Sequence, residues 1–125
     1  MASFGVKSSR RLSTCHEHIQ EVMEAAIRVY DFSVIWGYRG KARQNRAFSN
    51  GFSKVQWPDS RHNTNPSLAI DVIPYPVDWT NIDRFKELAW VIKGAASCSV
   101  IPLEWGGDWL SFRDMAHWQL PRGYV

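Results

Sequence analysis

A single carboxylate inside an apolar run restricts this chain most. Leu68-Ala69-Ile70-Asp71-Val72-Ile73 is short, rich in β-branched residues and closed by Pro74, the pattern of a buried strand. An ionised side chain there is costly unless a cation or hydrogen-bond donors compensate it. Alternation puts Leu68, Ile70 and Val72 on one face and Ala69, Asp71 and Ile73 on the other, so Asp71 is expected to point out of the main core. The loop before the strand, opened by Trp57-Pro58, carries Ser60 and His62. His62 and Asp71 meeting at a strand edge suit two ligands of a metal. They suit equally a His–Asp hydrogen bond that pins the loop.

The other elements follow from the same kind of pattern. Residues 1–12 are polar and basic, and loose order is expected there. Thr14 with Glu17 three residues on fits a capping box, and the helix it starts puts Ile19, Val22, Met23, Ala26, Ile27 and Tyr30 on one stripe. Phe32–Trp36 predicts a strand ended by Gly37. Ala42–Asn50 predicts a short helix closed by Gly51. Thr80 with Asp83 starts a further helix through Ile82, Phe85, Leu88, Ala89 and Ile92, expected to fade at Gly94 to Ser97. Val100–Trp105 and the end of Asp114–Leu120 read as extended segments. Helices between strands joined by tight loops predict an α+β class, with a small antiparallel sheet flanked by helices.

The length of 125 residues fits a single domain, 1–125, large enough for a real core. A net charge of +3 suits an anionic partner such as nucleic acid, a membrane or a wall polymer. Lys7, Arg10 and Arg11, and then Arg39, Lys41, Arg43 and Arg46, read more readily as solvated helix faces than as a dedicated patch. Seven Trp residues hint at a lining for an extended polymer, although most Trp are simply core. Cys15 and Cys98 match no metal or redox spacing and are expected reduced and semi-buried. His16 and His18 are expected partly exposed and without function. No apolar segment is long enough to span a membrane, and the N-terminus has no secretory signal core. No nucleic-acid-binding motif or interleaved basic–aromatic stretch is present.

Asp114 and His117 form the second informative pair. If His62, Asp71 and His117 converge, they make a two-His, one-carboxylate set with a position left for water. That count suits catalytic rather than structural zinc. Asp114 would then lie close enough to take a proton from the attacking water. Spacing alone does not establish the convergence.

Ser60-Arg61-His62, Ala69-Ile70-Asp71, Glu104-Trp105-Gly106-Gly107-Asp108-Trp109 and Asp114-Met115-Ala116-His117 together resemble the zinc peptidases of bacterial cell-wall peptides. That group holds the D-Ala-D-Ala carboxypeptidases and dipeptidases and the bacteriophage L-alanyl-D-glutamate endolysins. Trp-Gly-Gly-Asp-Trp and the small size look most like the phage branch, and the likeness runs from about Leu12 to Leu120. The resemblance implies that His62, Asp71 and His117 hold Zn²⁺ and that Asp114 is the general base. Gly37-Tyr38-Arg39, with Gln44 and Gly51-Phe52-Ser53-Lys54, looks like the family's segment bearing the oxyanion-stabilising Arg, which makes Arg39 that residue; a surface turn is the alternative. Ser60 is implied in substrate binding, with loop fixing as the alternative.

The implied substrate is the peptidoglycan stem peptide, cut between L-Ala and D-Glu during host lysis. The implied protein is a monomer without a separate wall-binding domain. It would wait in the host cytoplasm for a holin to open the way to the periplasm and wall. Removal of terminal D-Ala by a D,D-carboxypeptidase is the rival activity, and a non-catalytic zinc-stabilised binding module the rival class. The sequence departs from the family pattern in the nine positions from His62 to Asp71, longer than the commonest spacing, with Asn65-Pro66-Ser67 in place of a tight Gly turn. Ala116 also stands where Pro is common.

Overall fold

The computed structural model describes residues 2–125. Helices α1 (Val6–Leu12) and α2 (Glu17–Ile27) precede strand β1 (Phe32–Trp36). Helix α3 (Lys41–Ser49), a 3-10 turn at Arg61–Asn63 and strand β2 (Ala69–Pro74) follow. Helix α4 (Ile82–Cys98), strand β3 (Glu104–Trp105), a 3-10 turn at Gly106–Asp108 and strand β4 (His117–Gln119) complete the chain. The sheet is antiparallel with strand order β1-β2-β4-β3, so the architecture is the expected α+β one.

The sheet's two faces differ in chemistry. Leu68, Ile70 and Val72 pack with Ile19, Val22 and Met23 of α2, Leu88, Ala89 and Ile92 of α4, and Trp105 and Trp118. This is the face that alternation assigns to the core, and burying it provides the main driving force for folding. The other face carries Asp71 and, across the ladder, His117, because β2 and β4 pair with Asp71 opposite His117. Ile73, Phe85 and Ala116 form a small second apolar cluster beside them. Between Val34 and Trp36 the β1–β2 register slips, so that Val34 faces Val72 while Trp36 faces Asp71. A bulge of this kind re-aims a side chain, and here it delivers the Trp36 indole to the polar face.

Several elements differ from the sequence reading. Val6–Leu12 is helical where loose order is expected. The segment lacks a broad apolar stripe, and tertiary contacts hold it: Ser8 Oγ accepts from Val34 N at 3.0 Å, Arg11 Nη1 donates to Val34 O at 3.0 Å, and Leu12 enters the core. The Thr14–Glu17 capping box does not form. Thr14 Oγ1 donates to Arg11 O and accepts from Tyr38 N, and His16 Nδ1 instead caps α2 by accepting from His18 N. His16 is thus buried rather than partly exposed. Asn81, not Thr80, caps α4, and the helix runs through Gly94 to Cys98 because Ala89, Ile92 and Ala96 keep its inner face packed. The segment from Val100 is extended with strand pairing only at Glu104–Trp105. Cys15 is buried, as a small apolar residue would be, whereas Cys98 is exposed rather than semi-buried. No helix among the described residues is long and apolar enough to cross a membrane.

Candidate active site

His62, Asp71 and His117 converge. One potential ligand atom from each lies within 4.8 Å of the others. Asp71 Oδ1 sits 3.2 Å from His62 Nε2 and 3.1 Å from His117 Nδ1. The far side of each imidazole is also engaged. His62 Nδ1 donates to the Gly37 carbonyl at 2.8 Å, and His117 Nε2 donates to Gln119 Oε1 at 2.8 Å. These outer bonds orient the rings so that Nε2 of His62 and Nδ1 of His117 face the shared centre, where a bound metal would take their lone pairs. Metal-ligating histidines are oriented in this way. The donor set of two imidazole nitrogens and one carboxylate oxygen therefore fits a divalent transition metal. The convergence answers what spacing leaves open.

Local structure explains how the chain places these groups. Ser60 Oγ accepts from His62 N while the Asn63 side chain accepts from Ser60 N, a capping box that closes the 3-10 turn under His62. The long loop before Asp71 is tied to the α1–α2 junction, with Ser67 N donating to Thr14 O and His16 N donating to Ser67 O. The extra length thus packs against the body of the protein. Gly37 must be glycine because a Cβ there would strike Thr14 Oγ1 and the Arg11 carbonyl, and it is the Gly37 carbonyl that orients His62. Gly106 lies equally close to the Asp114 loop: a Cβ would come 2.5 Å from Asp114 O.

Arg39 is buried, contrary to a solvated helix face or surface turn. Its Nη2 lies 3.3 Å from Asp71 Oδ2, its Nη1 donates to Gln44 Oε1 at 3.1 Å, and its guanidinium stacks over Trp36. Gln44, fully buried, also accepts from Asn63 Nδ2 and donates to Ser53 Oγ and the Val55 carbonyl. One amide therefore joins Arg39, the His62 turn and the loop after α3.

Charge is balanced by contact. Burial works against ionising Asp71, but His62 and the hydrogen bonds from both histidines hold its carboxyl well below the usual carboxylate range. Burial opposes charging His117, yet its bond to Asp71 raises its pKa on balance. Asp114 is pushed the other way: burial, then the nearby Asp71 charge, raise its pKa. Asp114 Oδ1 accepts from Ala116 N at 3.3 Å.

The groups open onto a cleft with two lobes, of about 220 and 830 Å³. Arg39, Phe52, Asp71 and Asp114 line both, so the centre lies where the lobes meet. Ser60, Arg61, His117, Trp109 and Arg122 line the smaller lobe; Trp36, Arg43, Arg46 and Trp79 line the larger. The tryptophans divide accordingly: Trp105 and Trp118 are core, while Trp36, Trp79 and Trp109 line the cleft. Gln119 is the supporting residue that the sequence reading leaves out. Its position two residues after His117 on one strand, hence on the same face, is the signal that marks it.

An α+β domain with a buried His–Asp–His centre, a cleft-lining Arg and a second carboxylate in the same cleft belongs to a class suited to metal-assisted hydrolysis. The chain is a member of the phage L-alanyl-D-glutamate peptidase family, whose model matches residues 1–119. It is 31% identical to the L-alanyl-D-glutamate peptidase of Escherichia phage T5, over 96% of this chain and 90% of that protein. In structure it is similar to the Serratia marcescens L-Ala D-Glu endopeptidase ChiX, with a TM-score of 0.82 and 31% identity over 95% of this chain and 90% of the other.

Proposed function

We propose that this chain is a zinc peptidase that hydrolyses the L-alanyl-D-glutamate bond of the peptidoglycan stem peptide during lysis of a phage host. The observation that carries the reading is the convergence of His62, Asp71 and His117 with outward hydrogen bonds that orient both rings. Family membership supports the choice of bond over removal of a terminal D-Ala.

His62 Nε2, Asp71 and His117 Nδ1 would hold Zn²⁺, which supplies the Lewis acidity that makes water a competent nucleophile near neutral pH. Asp114 accepts the proton of the attacking water at its carboxylate and returns it to the leaving amine nitrogen. A raised pKa, caused by burial, brings that carboxyl closer to the working pH of a general base and acid. Arg39 is a fixed cation, held by Gln44 and stacked on Trp36, and it stabilises the negative charge that develops on the carbonyl oxygen. Ser60 spends an oxygen lone pair on capping His62, which leaves its hydroxyl proton for a substrate acceptor.

Asp114→Asn tests the assignment. The variant should bind one zinc per chain and unfold like the parent, while turnover falls about 10²- to 10⁴-fold. Near-parental turnover would remove Asp114 from proton transfer.

A further inference from the structure

The smaller lobe is lined by three cations, Lys54, Arg61 and Arg122, that form no ion pair within 4.0 Å among the described residues. Lys54 lies over the Phe112 ring, and Arg122 Nη2 donates to the backbone carbonyl of Asp59. Arg61 Nε is buried without any hydrogen-bond partner. Asp59 lines the lobe as well, and Glu104 lies behind Gln119, to whose amide its carboxylate is bonded. Like charges gathered in one corner beside a reaction centre form a site for an anion.

The substrate reading on which this inference rests supplies one. A glutamate whose amine is the leaving group has two carboxyls. A peptide continues through only one of them, so the other stays free beside the scissile bond. We propose that Arg61 and Arg122 form the subsite that recognises this free carboxylate, which places the leaving-group side of the substrate in the smaller lobe. Planar guanidiniums suit a carboxylate because they offer paired donors. Arg43 and Arg46, in the larger lobe, also make no ion pair among the described residues, and they serve as the comparison.

The test uses two peptides containing L-Ala–D-Glu, each extended through one glutamate carboxyl, with the other carboxyl free or converted to the amide. The zinc-loaded parent should cleave the acid form with a KM lower by on the order of 10- to 100-fold, as befits charge-assisted bonds. Arg61→Gln and Arg122→Gln should raise KM for the acid more than they lower kcat and should erase the preference. Arg61→Lys should restore part of it, which a purely structural role would not give. The Arg43→Gln/Arg46→Gln variant should retain the preference. Absence of a preference in the parent, its survival in Arg61→Gln/Arg122→Gln, or its loss only in Arg43→Gln/Arg46→Gln would each overturn the assignment. Calorimetric binding of the two leaving-group products separates the inferences. Tighter binding of the acid product, lost in Arg61→Gln/Arg122→Gln, supports the subsite even if no peptide is cleaved. Cleavage of both peptides at equal KM refutes the subsite and leaves the peptidase reading standing.

Discussion

Gln44→Leu would test whether the site's geometry depends on a single buried amide. Leucine nearly conserves the volume and removes every polar contact. Val55 O keeps the Ser53 hydroxyl at 3.1 Å, and Asn63 Nδ2 keeps the Arg39 carbonyl at 3.0 Å. The loss falls on Arg39 Nη1, which no longer has its acceptor, and on the second N–H of Asn63. A buried donor left unpaired costs about 1–3 kcal/mol, so the two together cost roughly 2–6 kcal/mol, towards the upper end because one is charged. Extra apolar burial returns ~1 kcal/mol. For a domain of this size each kcal/mol shifts the midpoint by about 4 °C, which predicts a fall in Tm of roughly 4–20 °C. Release of Arg39 should also lower kcat by on the order of 10²-fold, as a small misplacement of a charge-stabilising group does. Thermal unfolding followed by circular dichroism, together with cleavage kinetics, measures both effects. A Tm within about 2 °C of the parent and an unchanged kcat would refute the view that Gln44 holds the site together.

Other outcomes follow from individual contacts. Gln119→Leu removes the acceptor that orients His117 and should weaken zinc binding about 10- to 100-fold in competition with a chromophoric chelator; an unchanged affinity would show that the ring needs no such support. His117→Ala should lose stoichiometric zinc altogether, and one bound zinc per chain would contradict its place in the set. Burial pushes the Cys15 thiol up to about 12, whereas Cys98 is exposed, so a thiol reagent at pH 8 should label Cys98 alone until the protein is unfolded. Rapid labelling of both in the native protein would contradict the packing of Cys15.

What the sequence reveals depends on whether the cause is local. Phe32–Trp36 and the strand around Asp71 are legible because β-branched and aromatic residues alternate between two faces, and the fold keeps that alternation except at the bulge after Val34, which nothing in the local pattern marks. His62, Asp71 and His117 are legible because their motifs are specific. Their meeting, however, depends on β2 and β4 pairing in one register. Helix α1 is hidden because contacts with Val34 hold it rather than any stripe of its own. The Thr14 cap fails because the threonine hydroxyl is engaged elsewhere, with Arg11 and Tyr38. Arg39 looks like one basic residue among several, and only a buried acceptor in Gln44 and a carboxylate in Asp71 distinguish it. Gln44 belongs to the recognisable segment but carries no mark of its four-way bonding, since glutamine is ordinarily a surface residue.

The most direct measurement is digestion of purified Gram-negative peptidoglycan by the zinc-loaded protein, with released peptides identified by mass spectrometry. Stem peptides freed between L-Ala and D-Glu, abolished by chelator and restored by zinc, are the predicted result. Release of terminal D-Ala alone, or no cleavage by a folded, zinc-loaded chain, would contradict it.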